Sequence, residues 1–163
     1  MTIRRAAIVA PVRTPVGTFG GSLRAVPVEE LAATAIKAVL AAQHALVAVN
    51  SAIEVDLTGQ ANIEVAGGRY VGGTGGAADF LRGAARSVGG VPVLALPSTA
   101  GTASRIVARL TGPAGLTRAD AGVIVTEYGV ADLRGLSLAR RRERMIAVAH
   151  PDHQEALEAA AGD

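Results

Sequence analysis

Short aliphatic runs that end at proline or glycine alternate with longer runs of helical spacing along most of this chain. That alternation restricts the fold to the α/β class, with a doubly wound, largely parallel sheet as its expected form. Strand-like segments are read at 6–10, stopped by Pro11, at 45–56, and at 63–71 with Gly67-Gly68 as a turn or bulge inside it. Further strands are read at 91–96, stopped by Pro97, at 105–110 and at 122–126, with a polar loop at 98–104. Helical spacing covers 77–86 and 136–149, and Pro151 opens a last helix over 152–160. A turn-rich loop fills 14–21, and Pro27 with Glu29 and Glu30 starts a helix that runs to about Ala42. Proline in the first turn and acids at the positive end of the dipole both favour that start. At Gln43-His44 this helix meets the next strand with no linker, which divides the chain into 1–43 and 44–163.

A chain of 163 residues buries about two-thirds of its unfolded surface, enough for one core. That core is expected to be aliphatic, because half the residues are hydrophobic while Phe19, Tyr70, Phe80 and Tyr128 are the only aromatics. The formal charge of +2 (16 basic, 14 acidic) and the lack of a basic stripe interleaved with aromatics argue against a nucleic-acid binder. Arg140-Arg141-Arg142 with Arg144 faces away from Leu138, Met145, Ile146 and Val148, as in a solvated helix face or, less simply, an anion site. With no cysteine, disulfides, thiolate metal sites and cysteine nucleophiles are excluded together, and a cytoplasmic setting is expected. There is no run of 18 apolar residues, and Pro11 and Pro15 interrupt any secretory core, so the chain reads as soluble.

The chemistry candidates begin with Gly72-Gly73-Thr74-Gly75-Gly76, between a strand and a helix. Glycines let backbone N–H groups approach a phosphate or a carbonyl oxygen at the positive end of the helix. The spacing is neither that of a dinucleotide site nor of a P-loop, and a tight turn with no ligand fits it equally. Glu54 and Asp56 alternate on one strand face, either converging as an acid/base pair or capping locally and pairing with arginines such as Arg69. Asn50 is a candidate amide donor or a turn former. Ser98-Thr99 follows a buried strand, at the carboxyl end where open α/β sheets take ligands, yet no nucleophile elbow surrounds it. His44, His150 and His153 lack metal-like spacing except in His150-Pro151-Asp152-His153, where the proline reads better as a helix junction; no metal site is expected.

Residues 45–160 resemble the carboxyl-terminal part of the acetyl-CoA hydrolase/transferase family, the class I CoA-transferases. The text that carries the resemblance is Asn50 to Gln60, Gly75-Gly76 with Asp79-Phe80 and Arg82-Gly83-Ala84, Ala95 to Ala100, Ser104 to Val107, Val125 to Gly135 and Ala147 to Asp152. The resemblance implies coenzyme A as substrate, with Gly73, Thr74, Gly75 and Gly76 against the acyl-CoA thioester, and an acyl-CoA and a short-chain carboxylate as partners in the reaction. In that family a glutamate attacks the thioester and becomes a glutamyl-CoA adduct; its segment lies upstream of the matched text and is not matched in this chain. Glu54 and Glu127 correspond to family positions that are not this nucleophile. Ala77 and Leu136 stand where the family usually has glutamine and often has lysine.

Residues 1–42 are similar instead to the amino-terminal edge of a thiolase, through Arg13-Thr14-Pro15-Val16-Gly17 and Phe19-Gly20-Gly21. That similarity brings over no catalytic residue. The expectation is therefore a CoA-binding portion of a CoA-transferase or acetyl-CoA hydrolase that turns over little alone. The alternatives are a non-catalytic module completing a split enzyme through a partner chain or homo-oligomer, and a fusion remnant without selected activity.

Overall fold

The computed structural model describes Pro27, Glu30, residues 45–73 and residues 75–161. The chain divides into two compact units, Met1–His44 and Ala45–Asp163, and nearly all described residues belong to the second. The strand at 6–10, the loop at 14–21, the helix at 27–42 apart from Pro27 and Glu30, His44 and Thr74 lie outside the described residues.

The second unit is built on a four-stranded sheet of order β1-β6-β10-β11. β1 (Val47–Asn50), β6 (Val91–Ala95) and β10 (Val123–Thr126) run parallel, and β11 (Gly129–Asp132) returns antiparallel beside β10. The register puts Ala48, Pro92, Leu94, Ile124 and Ala131 on one face, all buried, as the alternation of a pleated strand requires. Helix α1 (Ala77–Arg86) covers that face by directing Leu81 and Ala84 into it, and its last turn is tied to the amino ends of the strands. There Leu46 N donates to Ser87 Oγ at 3.1 Å, Ala45 N donates to Val88 O at 2.8 Å, and Val91 N donates to Leu46 O at 2.9 Å. The opposite face carries Val47, Val49 and Val130, which are exposed.

The stretch read as one strand over 45–56 is broken. After Asn50 the chain leaves the first sheet, and Ile53 N is captured by Asn62 O, so β2 (Glu54–Asp56) pairs with β3 (Ala61–Asn62) and β9 (Ile106–Val107) in a second sheet. The segment at 63–71 is a small hairpin, β4 (Val65–Ala66) and β5 (Arg69–Tyr70), closed by Gly67 and Gly68 at φ 57 and 75. Two successive positive φ values make the turn that matches strand twist, and glycine adopts them without strain. The loop at 98–104 folds into a second small hairpin, β7 (Thr99–Ala100) with β8 (Ala103–Ser104).

Helix α2 (Leu138–Ala147) starts at Ser137, whose side chain accepts from Arg140 N, and Pro151 opens α3 (Pro151–Ala161). Met145, Val148, Ala149 and Leu157 bring both helices into the common aliphatic core. The arginine run of α2 divides by partner. Arg140 pairs with Glu143 at 2.9 Å in solvent, Arg141 Nη1 donates to Thr58 O at 3.1 Å and Arg118 O at 2.8 Å, and Arg142 Nη1 donates to Ala161 O at 3.2 Å. Arg141 and Arg142 therefore satisfy loop and helix-end carbonyls, while Arg140 and Arg144 form the solvated face.

Candidate functional site

Of the carboxylates singled out in the sequence, Glu54 and Asp56 are both consumed by structural hydrogen bonds, those of Asp56 local and those of Glu54 reaching the loop at 111–112. Glu54 is buried and accepts from Asn62 Nδ2 at 3.0 Å, Thr111 N at 2.7 Å, Thr111 Oγ1 at 2.9 Å and Gly112 N at 3.2 Å. Asp56 accepts from Thr58 N and Oγ1 and from Gln60 N and Nε2 at 2.7–3.0 Å, closing its own turn. Neither meets Arg69 among the described ion pairs. Their acceptor sites are occupied, so they staple the second sheet rather than face a substrate.

The glycine loop stands elsewhere. Val71 N and Gly72 N both donate to Glu64 O, at 2.8 and 3.3 Å, which fixes where the loop leaves the β4–β5 hairpin. Gly75 has φ 49, and Gly76 is the residue before the first turn of α1, with no side chain capping that turn. The first N–H groups of a helix have no intrahelical acceptor, so this end presents donors to whatever lies in front of it. Asp79 places a carboxylate in the same turn, 4.0 Å from Arg82 Nη1. A negative side chain there competes with a bound anion, which makes the loop better suited to a polarised carbonyl oxygen than to a phosphate. Arg82 also holds Asp120 through Nε at 2.7 Å and Nη2 at 3.2 Å, and Thr117 Oγ1 donates to the same carboxylate at 2.9 Å. Burial pushes the Asp120 carboxyl up, but the Arg82 and Thr117 hydrogen bonds and the Arg82 charge outweigh it and hold it below its ordinary value. That ion pair locks the helix against the segment leading into β10.

Because α1 ends at the amino ends of β1 and β6, and a helix of ten residues is about 15 Å long, its glycine-rich start is directed toward the strands' carboxyl ends. At those ends lies an open depression of about 500 Å³, lined by Ala95, Leu96, Pro97, Val125, Thr126 and Glu127. Ser98, fully buried, donates Oγ to Glu127 Oε1 at 2.6 Å and N to Oε2 at 2.9 Å. The Ser98 hydroxyl, then the N–H groups of Glu127 and Ser98, hold the Glu127 carboxyl below its ordinary value, and the His150 charge adds to this. Ser98 is thus an orienting donor, and Glu127 is an exposed, ionised carboxylate fixed at the sheet's carboxyl end. Sequence reasoning placed Ser98 at a ligand-binding end but gave Glu127 no role. The available signal was its position immediately after the buried strand at 122–126.

Asn50 also ends a parallel strand at this side, half-buried. His150 and His153 serve α3: His150 Nδ1 accepts from Asp152 N at 3.2 Å, its ring meets Tyr128 edge-on at 5.2 Å, and His153 Nε2 lies 3.1 Å from Thr102 O. Among the described residues no three of His, Cys, Asp and Glu gather as metal ligands, and no described helix is long and apolar enough to cross a membrane.

Comparison with known proteins identifies relatives with this architecture. Residues 22–161 match the family described as the acetyl-CoA hydrolase/transferase C-terminal domain. The succinyl-CoA:acetate/propanoyl-CoA:succinate CoA transferase of Fasciola hepatica is 47% identical over 122 residues, covering 72% of this chain and 26% of the relative. The 4-hydroxybutyrate coenzyme A transferase of Clostridium kluyveri is 44% identical over 116 residues, covering 69% and 27%. The crystal structure of RipA from Yersinia pestis superposes with a TM-score of 0.71 at 42% identity, covering 77% of this chain and 29% of that one. The chain therefore spans about a quarter of the length of these curated relatives.

Proposed function

Because this chain belongs to the acetyl-CoA hydrolase/transferase family, through its C-terminal domain, we propose that it binds acyl-CoA with the thioester at Gly73, Thr74, Gly75 and Gly76. The acyl carbonyl oxygen takes the N–H groups at the start of α1, and the acid that exchanges CoA is held toward the depression below Glu127. One observation supports this above the rest. The uncapped, glycine-rich start of α1 and the anchored Glu127 carboxylate are both directed to the carboxyl ends of the parallel strands of one sheet, where open α/β sheets take their ligands.

In this reading the activity served is CoA transfer between an acyl-CoA and a short-chain carboxylate, or hydrolysis of the thioester, in a cytoplasmic setting. Turnover by the chain alone is low, because donors and orientation supply only part of the barrier reduction when no glutamate forms the adduct. Residues 44–163 form the acetyl-CoA hydrolase/transferase portion within a doubly wound fold, and residues 1–43 a thiolase-like strand and helix. The family match itself starts at residue 22, inside the stretch assigned to the thiolase-like part.

The test is calorimetric binding of acetyl-CoA, followed by an exchange assay with acetate and butyrate as acceptors. Binding with exchange no faster than the uncatalysed rate is expected. Absence of binding contradicts the site, and rapid acceptor-dependent exchange contradicts the missing nucleophile. A second reading, a module that completes a partner chain, is favoured by Val47, Val49 and Val130, exposed on the uncovered face of the sheet. Parallel sheets are normally covered on both faces. A monomer by light scattering that gains no partner from an affinity pull-down counts against it.

A further inference from the structure

The aromatic residues of the second unit are all on its surface. Tyr70 is 75% exposed, Phe80 49% and Tyr128 43%, whereas the largest fully buried side chains are leucine, isoleucine, methionine and valine. In a chain this poor in aromatics, leaving the large rings out of the core forgoes the greatest burial available to it. Exposed rings beside a ligand site have a use that exposed rings elsewhere lack. Phe80 is placed for one. It occupies the fourth position of α1, where a helix commonly packs an apolar side chain against the residue preceding its cap. Here that preceding residue is Gly75, which has no side chain to offer. The ring instead lies along Gly76, so close that a Cβ built there would stand 3.3 Å from Phe80 Cε2. Leu81 and Ala84 carry the core-facing stripe of the helix, and Phe80 is off it.

We infer that Phe80 is the acyl-contact residue of this site, the apolar surface against which the hydrocarbon chain of an acyl-CoA rests when its thioester carbonyl sits at the glycine loop. This rests on the acyl-CoA reading above and adds to it a preference. Aliphatic acyl groups of several carbons are held better than acetyl, because each added methylene is removed from water against the ring. A Cβ at Gly76 would press on the same ring and shift it by a few tenths of an ångström. Contact with the acyl group also explains why the ring is retained half in water at the end of a helix whose own packing does not use it.

Three probes separate this inference from its premise: coenzyme A, acetyl-CoA and butyryl-CoA, titrated by calorimetry into the full chain and into Phe80→Ala. For wild type, the two extra methylenes of butyryl-CoA are expected to tighten binding by roughly tenfold over acetyl-CoA. Phe80→Ala should bring the two affinities together while leaving coenzyme A itself within about twofold. A variant that keeps the wild-type preference overturns the role of Phe80 and leaves the acyl-CoA site standing. Wild type that binds none of the three overturns the site itself. Should Phe80→Ala fail to fold, the wild-type protein still decides the matter by NMR, because its only other phenylalanine is Phe19. Phe80 ring resonances that move with butyryl-CoA and not with coenzyme A support the contact, and equal movement with both overturns it.

Discussion

Replacing Glu54 by alanine is expected to cost stability. The carboxylate is 7% exposed and is the acceptor that joins β2 to β3 and to the loop at 111–112. Truncation removes an acceptor from Thr111 N, Gly112 N, Thr111 Oγ1 and Asn62 Nδ2. Asn62 keeps Val65 O at 2.7 Å, and the Thr111 hydroxyl is free to rotate toward water because Thr111 is exposed. The loss that water repairs least is that of the two backbone donors, at about 1–3 kcal/mol each when buried and less where the loop is wet. About 3 kcal/mol is the expected total for Glu54→Ala, and about 1 kcal/mol for Glu54→Gln, which retains one oxygen facing the loop. For a chain of this size, 3 kcal/mol corresponds to roughly 10 °C in melting temperature. Urea unfolding monitored by circular dichroism measures both variants against wild type. A Glu54→Ala loss below about 0.5 kcal/mol refutes the staple, since surface substitutions stay within that range. Equal losses for Gln and Ala refute the assignment of the cost to the acceptor geometry. Were Glu54 instead an acid or base of the reaction, Glu54→Gln would depress exchange and leave stability untouched.

Other outcomes follow from the same geometry. Ser98→Ala removes the main cause of the lowered Glu127 pKa, so the Glu127 carboxyl should titrate nearer its ordinary value by NMR, and an unchanged titration contradicts the Ser98 assignment. Asp120 has a folded pKa below its unfolded one, so its contribution is present above the ordinary carboxyl range near pH 4 and is lost as pH falls through the folded value. Asp120→Asn should therefore be less stable than wild type at pH 7, with the gap closing below about pH 4; a gap independent of pH contradicts the ion pair. Ser137→Ala should lose about 0.5–1 kcal/mol in thermal unfolding through the start of α2, and no loss means that the cap is idle. Gly75→Val should weaken acetyl-CoA binding and also lower the melting temperature, because a β-branched residue is strained at φ 49 even with nothing around it, and unchanged binding contradicts the role of the loop.

Where local signals and tertiary packing agree, the elements were legible in sequence. The stretch at 77–86 has a glycine before it and an apolar stripe through Leu81 and Ala84, and it is a helix over those residues. The strands at 91–96 and 122–126 came within one residue of their ends because Pro97 and the aliphatic runs mark them. The run at 45–56 misleads because β-branched and apolar residues continue through it, while the change of sheet is made by Ile53 N bonding Asn62 O and by Val55 N bonding Arg105 O, the latter 50 positions away and visible in no local pattern. β11 was missed because its four residues contain Gly129 and a single exposed valine, too short for an alternation to show. At the site, the glycine loop is visible as composition, and the resemblance to CoA-transferases implies coenzyme A as its ligand, which is the proposal made above. Glu127 was not visible, because its anchoring depends on Ser98, 29 positions away, being buried at the neighbouring strand end.

The proposed function requires that a CoA thioester dock at the carboxyl end of this sheet, against the start of α1. Amide resonances of the isotopically labelled chain, recorded while acetyl-CoA is added, test it most directly. Saturable shifts concentrated at residues 72–80, with a second set at 96–98 and 127, are expected. Shifts confined to the α2–α3 surface, or none at millimolar acetyl-CoA, contradict it.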